Sequence, residues 1–149
     1  MAGNTAPIFS RNGSIASSNP SSSNPLGYSG GTAILVGSDY AGTTAATCLV
    51  CFTADATNGS FVSKIRFKSI GTNAVAVARI FINDGVSQTA GHMFFYGEAS
   101  LPATTASTSS GTADIDYPMN IILPAGYKIY IGVTTVAAGW IATVIAGNY

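Results

Sequence analysis

From Thr32 onward, apolar and polar residues alternate in short runs separated by turn formers, the pattern of an all-β sandwich or barrel. The runs predict eight strands, near 32–36, 47–54, 60–70, 74–83, 91–99, 113–123, 127–135 and 139–147. Between them stand Asn58-Gly59, Gly71-Thr72-Asn73 and Asn83-Asp84-Gly85, which turn the chain through positive φ or through side-chain bonds to nearby backbone. A helical period persists nowhere.

The run "SFVSKIRFKSI" sets Phe61, Ile65 and Phe67 on one face of a strand and Val62, Lys64, Arg66 and Lys68 on the other. Half of the basic residues sit there, and with Arg79 from the next strand they are candidates for a basic strip facing an acidic surface. Further on, "LPATTASTSSGTA" between Leu101 and Ala113 is too long for a hairpin turn and reads as a crossing between sheets, as in Greek-key sandwiches.

The closing stretch, Leu123 to Tyr149, is apolar enough to raise the question of a membrane anchor. A spanning helix takes roughly 20 consecutive apolar residues, whereas Pro124, Gly126, Lys128, Gly132, Gly139 and Gly147 interrupt this one. Its Ile, Val, Thr and Tyr favour strands. Tyr127, Ile129, Ile131 and Val133 share one face opposite Lys128, Tyr130, Gly132 and Thr134, which describes a half-buried strand. After a turn at Ala137-Ala138-Gly139, the run from Trp140 is apolar on both faces, as in a strand buried on both sides. A hairpin is expected here, with Trp140 as its core anchor rather than a sugar platform, and no membrane contact.

Eight strands with one long crossing fit a single β-sandwich of jelly-roll type over residues 32–149. Ahead of it, residues 1–31 are crowded with Ser, Asn, Gly and Pro and read as an extended arm, since such a segment cannot repay its ordering entropy alone. Ile8, Phe9, Leu26 and Tyr28 are the exceptions, suited to docking in grooves of a partner.

Composition sharpens the picture mainly through charge. Charged residues make up 8% of the 149, with six basic and six acidic residues and no net charge, against an ordinary share of about 25%. Clustered cations supply phosphate binding, so nucleic acid is not an expected partner. Low charge beside 47% apolar residues suits a subunit that works inside an assembly. The start, "MAGNTAPIFSRNGS", lacks the basic end and apolar core of a signal peptide, so secretion is not expected.

Candidate chemistry is sparse. Cys48 and Cys51 form a Cys-x-x-Cys, but on a strand an odd spacing sends the thiols to opposite faces, so two apolar fillers are expected and not a redox pair. A structural zinc needs four ligands, and His92 is the one strong candidate beyond the cysteines. His92 suits a hydrogen bond or a meeting of copies at a symmetry axis. Asp114 and Asp116 share a strand face without an apolar setting to raise either pKa, and read as solvated residues. No Gly-x-Ser-x-Gly, phosphate loop or dinucleotide fingerprint occurs. The expectation is a non-enzymatic protein with no catalytic, metal or cofactor-binding residues.

"FFYGEASLPATTAS", followed by "IDYPMNIILPAGYKIYIGVTTVAAGWIATVIAGNY", resembles the C-terminal half of small structural proteins of tailed bacteriophages. There an "LPAG(Y)" strand leads to "(V)AAG(W)" and a closing Gly-x-Tyr or Gly-x-Phe. The likeness covers residues 92–149; the arm carries no matching motif. The resemblance implies a capsid cement or decoration protein: a homotrimeric β-sandwich on the virion's capsid surface, assembled in the bacterial cytoplasm and bound to the major capsid protein. Ile8, Phe9, Leu26, Tyr28, Lys64, Arg66 and Lys68 are then the candidate capsid contacts. The alternative is a tail-fibre or receptor-binding jelly roll meeting host glycans; a free-standing carbohydrate-binding module fits less well with one Trp.

Overall fold

The computed structural model describes residues 39–45, 47–112, 114–134 and 138–149 with their side chains, and 12–17 as backbone. Eight strands are present among the described residues: β1 (Asn12–Ser17), β2 (Leu49–Thr53), β3 (Ser60–Ser69), β4 (Ala76–Asn83), β5 (Met93–Leu101), β6 (Asp114–Leu123), β7 (Lys128–Val133) and β8 (Trp140–Asn148). They form two antiparallel sheets of four, in the orders β1-β8-β3-β6 and β2-β7-β4-β5. This is the jelly-roll order, in which successive strands pass back and forth between two packed layers. The core lies between the layers, where Ile65 and Phe67 of β3, Ile80 of β4, Ile129 and Ile131 of β7 and Trp140 of β8 are closed to solvent.

Seven strands fall where the alternation predicts them, and the eighth does not. β1 lies within the segment read as an arm, and pairs with β8 from Asn12↔Asn148 to Ser17↔Thr143. Residues 12–17 therefore pair within the sandwich, although composition reads them as part of the arm. "NGSIAS" is too short and too polar to announce a strand by itself; its partner β8 creates the site for it. The run 32–36, and with it Ile8, Phe9, Leu26 and Tyr28, lies outside the described residues.

Two further expectations need correction. The closing stretch folds as two buried strands but not as a hairpin: β7 pairs with β2 and β4, whereas β8 pairs with β1 and β3 in the other sheet. Each strand is thus central in its own sheet, and β8 buries one face (Trp140, Ala142, Val144 and Ala146) while Ile141, Thr143 and Ile145 on the other remain partly exposed, against the expectation of burial on both. No described helix is long and apolar enough to cross a membrane. The faces of β3 also differ from a strict period of two. Its register shifts between Val62 and Lys64 against both neighbours. Against β8, Ser63 is the extra residue of a bulge, which turns Val62 inward with Ile65 and Phe67 and moves Phe61 to the outer face beside Lys64; against β6 the extra residue lies on β6, between Pro118 and Ile121.

The turn at Asn58-Gly59 follows the expected chemistry. Asp55 Oδ1 accepts from the amides of Thr57 and Asn58, and Gly59 has φ of 77°. A Cβ there would meet the Leu123 carbonyl oxygen at 2.4 Å, so only glycine fits.

Candidate functional surfaces

The outer face of the first sheet carries the densest group of charge among the described residues. On β3, Lys64, Arg66 and Lys68 point outward; on the neighbouring β6, Asp114 and Asp116 do the same, with Arg66 opposite Asp116 and Lys68 opposite Asp114. Asp116 accepts from Lys64 Nζ at 2.6 Å and from Arg66 Nε at 2.8 Å, and Asp114 from Lys68 Nζ at 2.9 Å. The bonds from Arg66 and Lys64 hold the Asp116 carboxyl far below the usual carboxylate range, and that from Lys68 lowers Asp114. This is an ion-pair ladder rather than a bare basic strip. The two aspartates, read as solvated, are its acidic rail. Arg79 has no place in it, because the link 70–75 carries the chain to the other sheet, where Arg79 Nε bonds Glu98 at 3.1 Å.

A lowered folded-state pKa contributes stability above the unfolded value, near pH 4, and that contribution is lost as pH falls through the folded value. Wild-type protein is therefore expected to melt at progressively lower temperature below about pH 4. The Asp114→Asn/Asp116→Asn variant should lose less over the same range. Melting curves from pH 6 to pH 2 check this, and parallel profiles for the two proteins would remove the ladder from the explanation.

The second sheet is covered differently. On its outer face Cys48, Phe81, Met93 and Tyr130 form a buried cluster of their own. Gly42 lies against the Phe81 ring, where a Cβ would come within 2.9 Å, and Gln88 Nε2 donates to the Gly42 and Cys48 carbonyls. Gly42 and Cys48 are thereby pinned onto the sheet, so Tyr130, assigned by alternation to the less buried face of its strand, is also enclosed. Cys48 belongs to this outer cluster and Cys51 to the core between the sheets, so the thiols lie on opposite faces as their spacing predicts. Burial, with Asp39 second, pushes the Cys48 thiol up to about 12, and burial raises Cys51 as well. Neither is a thiolate nucleophile near neutrality.

Beside that cluster runs an aromatic ridge that the alternation did not single out. Tyr40 is 61% exposed, Phe94 54%, Phe95 46% and Tyr96 38%. Phe95 packs edge-on against Phe81 at 5.6 Å and against Tyr40 at 5.4 Å, and the Arg79 guanidinium lies 3.8 Å from the Tyr40 ring centre. The signal was in the sequence: three consecutive aromatics, Phe94-Phe95-Tyr96, cannot all point to one core on a strand.

His92 Nδ1 lies 2.5 Å from Asp84 Oδ2, the local hydrogen bond expected of it, which closes the loop 84–92. Among the described residues no group of three or more His, Cys, Asp or Glu is placed to hold a metal ion. The crossing loop between β5 and β6 forms an open groove of about 220 Å³, lined by Pro102, Thr104, Thr105, Ser110 and Thr112 among others. No protein family, curated protein or solved structure matches the chain.

Proposed function

We propose that the protein is a non-enzymatic structural component of a virion, a cement protein that binds the major capsid protein as a homotrimer and needs no cofactor. The observation that carries this reading is the position of β7 and β8. The segments "LPAGYKIYIGV" and "GWIATVIAGNY", which bear the resemblance to phage structural proteins, each supply one of the two central strands of a sheet. The likeness therefore involves the residues that define the sandwich and not a peripheral loop. A protein that binds only the mature shell stabilises it by mass action, which requires surface and no catalytic group.

Stoichiometry in purified particles tests the position in the virion. A copy number comparable to that of the major capsid protein is expected, whereas a handful of copies favours the tail-fibre reading. That second reading draws on the Ser/Thr-lined groove between β5 and β6, whose hydroxyls suit a glycan.

Attachment is tested separately. Deleting residues 1–11 removes Ile8 and Phe9 and spares β1. The shortened protein should fold, yet co-sediment poorly with undecorated shells. Substituting Leu26 and Tyr28 by serine should act in the same direction. Full retention of both variants would move the contact to the face that bears Lys64, Arg66 and Lys68.

A further inference from the structure

Tyr40 is the most exposed aromatic side chain among the described residues, yet its surroundings fix it in place. Asp39 Oδ1, one residue before it, accepts from the amides of Ala41 and Gly42 at 3.0 Å each, and Gly42, with φ of 66°, lies against the Phe81 ring. That turn sets the backbone on both sides of Tyr40. One face of its ring is backed by the Arg79 guanidinium, 3.8 Å from the ring centre, and Phe95 meets it edge-on at 5.4 Å. Arg79 is held in turn: its side chain is 14% exposed, it bonds Glu98 of β5 at 3.1 Å, and it lies across from Gly132 of β7, which brings no side chain. A ring fixed in this way has already lost its rotamer freedom, so stacking on its open face costs little further ordering.

The charges around the ring select among ligands. Among the described residues, Asp39 and Glu98 stand beside it against the single guanidinium of Arg79, an excess of negative charge that disfavours a phosphate, a sulfate or an acidic sugar. A cation is disfavoured for a different reason: Arg79 already occupies one face of the ring, and a second cation on the opposite face would confront it through the ring. A neutral ligand remains, and the neighbouring groups define its kind. Glu98 is 37% exposed and engages Arg79 through Oε1, which leaves Oε2 with no donor among the described residues. Ser100, next along the same face of β5, is exposed as well. A purely apolar ligand would strip water from these groups and give them no partner. A pyranose suits both features, since its C–H face lies flat on an aromatic ring while its hydroxyls donate to a carboxylate oxygen.

We propose that Tyr40 is the stacking platform, and Glu98 the hydrogen-bond acceptor, of a binding site for neutral hexopyranose units of a polysaccharide. The platform is open, without walls to enclose a single sugar, so it suits a chain of repeated units, which several copies of the protein can engage at once, rather than a free monosaccharide. The site uses none of the residues that line the groove between β5 and β6. It goes beyond the cement reading and does not depend on it.

Co-sedimentation with insoluble polysaccharides, with far-UV melting as the folding control, tests it. Wild type should be retained by at least one neutral polymer among cellulose, mannan, agarose and chitin, and neither by cationic chitosan nor by anionic cross-linked alginate. Tyr40→Ala should weaken that retention by about tenfold or more, and Tyr40→Phe, which keeps the ring, should restore most of it. Glu98→Ala should melt cooperatively and weaken retention by about tenfold, through loss of the acceptor. Ile122→Ala, which alters an exposed residue on the outer face of the other sheet, should bind as wild type. Tyr40→Ala should still co-sediment with undecorated shells, so that this site and the cement reading fail separately. The proposal is overturned by a wild type that no neutral polymer retains, or by charged polymers that hold it as well as neutral ones do. A Tyr40→Ala or Glu98→Ala protein that folds and is retained like wild type overturns it equally.

Discussion

Replacing Trp140 by alanine is expected to cost the sandwich about 3–5 kcal/mol, the ordinary range for emptying a large aromatic site in a packed core. Trp140 is 1% exposed and opens β8, where it pairs with Ser69 of β3 and belongs to the core between the sheets. Its indole Nε1 finds no hydrogen-bond acceptor among the described residues. The ring therefore acts through volume and contact alone, which adds a second expectation. Trp140→Phe should cost clearly less than Trp140→Ala, because it retains an aromatic filler and removes a buried donor that makes no bond. Urea unfolding of the three proteins measures both. An alanine variant with wild-type stability would show that the indole is not the anchor of the core.

The second large effect is expected at Asn73, a buried polar residue that joins three loops. Its side-chain amide donates to Ser69 Oγ at 2.8 Å and to the Gly139 carbonyl at 3.2 Å, with Gly71 O and Thr104 Oγ1 also in range. Its oxygen accepts from the Gly139 amide at 2.8 Å, and its backbone pairs with Thr104 in both directions. One side chain thus fastens the turn after β3, the loop after β5 and the start of β8. Alanine would leave the buried Gly139 amide without its acceptor, whereas the Gly139 carbonyl keeps the Ile70 amide at 3.2 Å. A loss of roughly 1–3 kcal/mol is expected, the cost of one unsatisfied buried group. Aspartate should be worse than alanine, since it keeps the acceptor but loses the donors and buries a charge. A wild-type midpoint for Asn73→Ala would mean that water or neighbouring groups replace the network.

How far the sequence revealed these features varied from element to element. Strands β2 to β8 were readable because their apolar residues recur with the period of a pleated strand and turns between them carry Gly where φ is positive, as at Gly59, Gly85 and Gly126. β1 was not, since "NGSIAS" lacks an apolar rhythm and gains its place from a partner that lies more than a hundred residues away. The same distance hid the sheet assignment of β7 and β8: alternation says that a strand is buried, not which strand lies beside it. Ser63 shows a third kind of loss, because a bulge moves side chains from face to face and leaves no mark in composition. The ion-pair ladder was half visible, as a basic rail on β3 and two aspartates on β6, and only the register Arg66↔Asp116 brings the halves together. The aromatic ridge was visible as a tripeptide, but its meaning depends on β5 being the last strand of its sheet.

The position of β8 also sets the order in which the molecule can be completed during synthesis. In the first sheet β3 emerges from the ribosome early, yet one of its two neighbours is the last strand of the sequence, and β1 has no partner but that same strand. Translation proceeds at about 5–20 residues per second, so β1 and one edge of β3 wait without their partner until residues 140–148 are free of the exit tunnel. Pairing of this range is intrinsically slow. The nascent chain must therefore stay unaggregated until β8 is available, and the first sheet closes late.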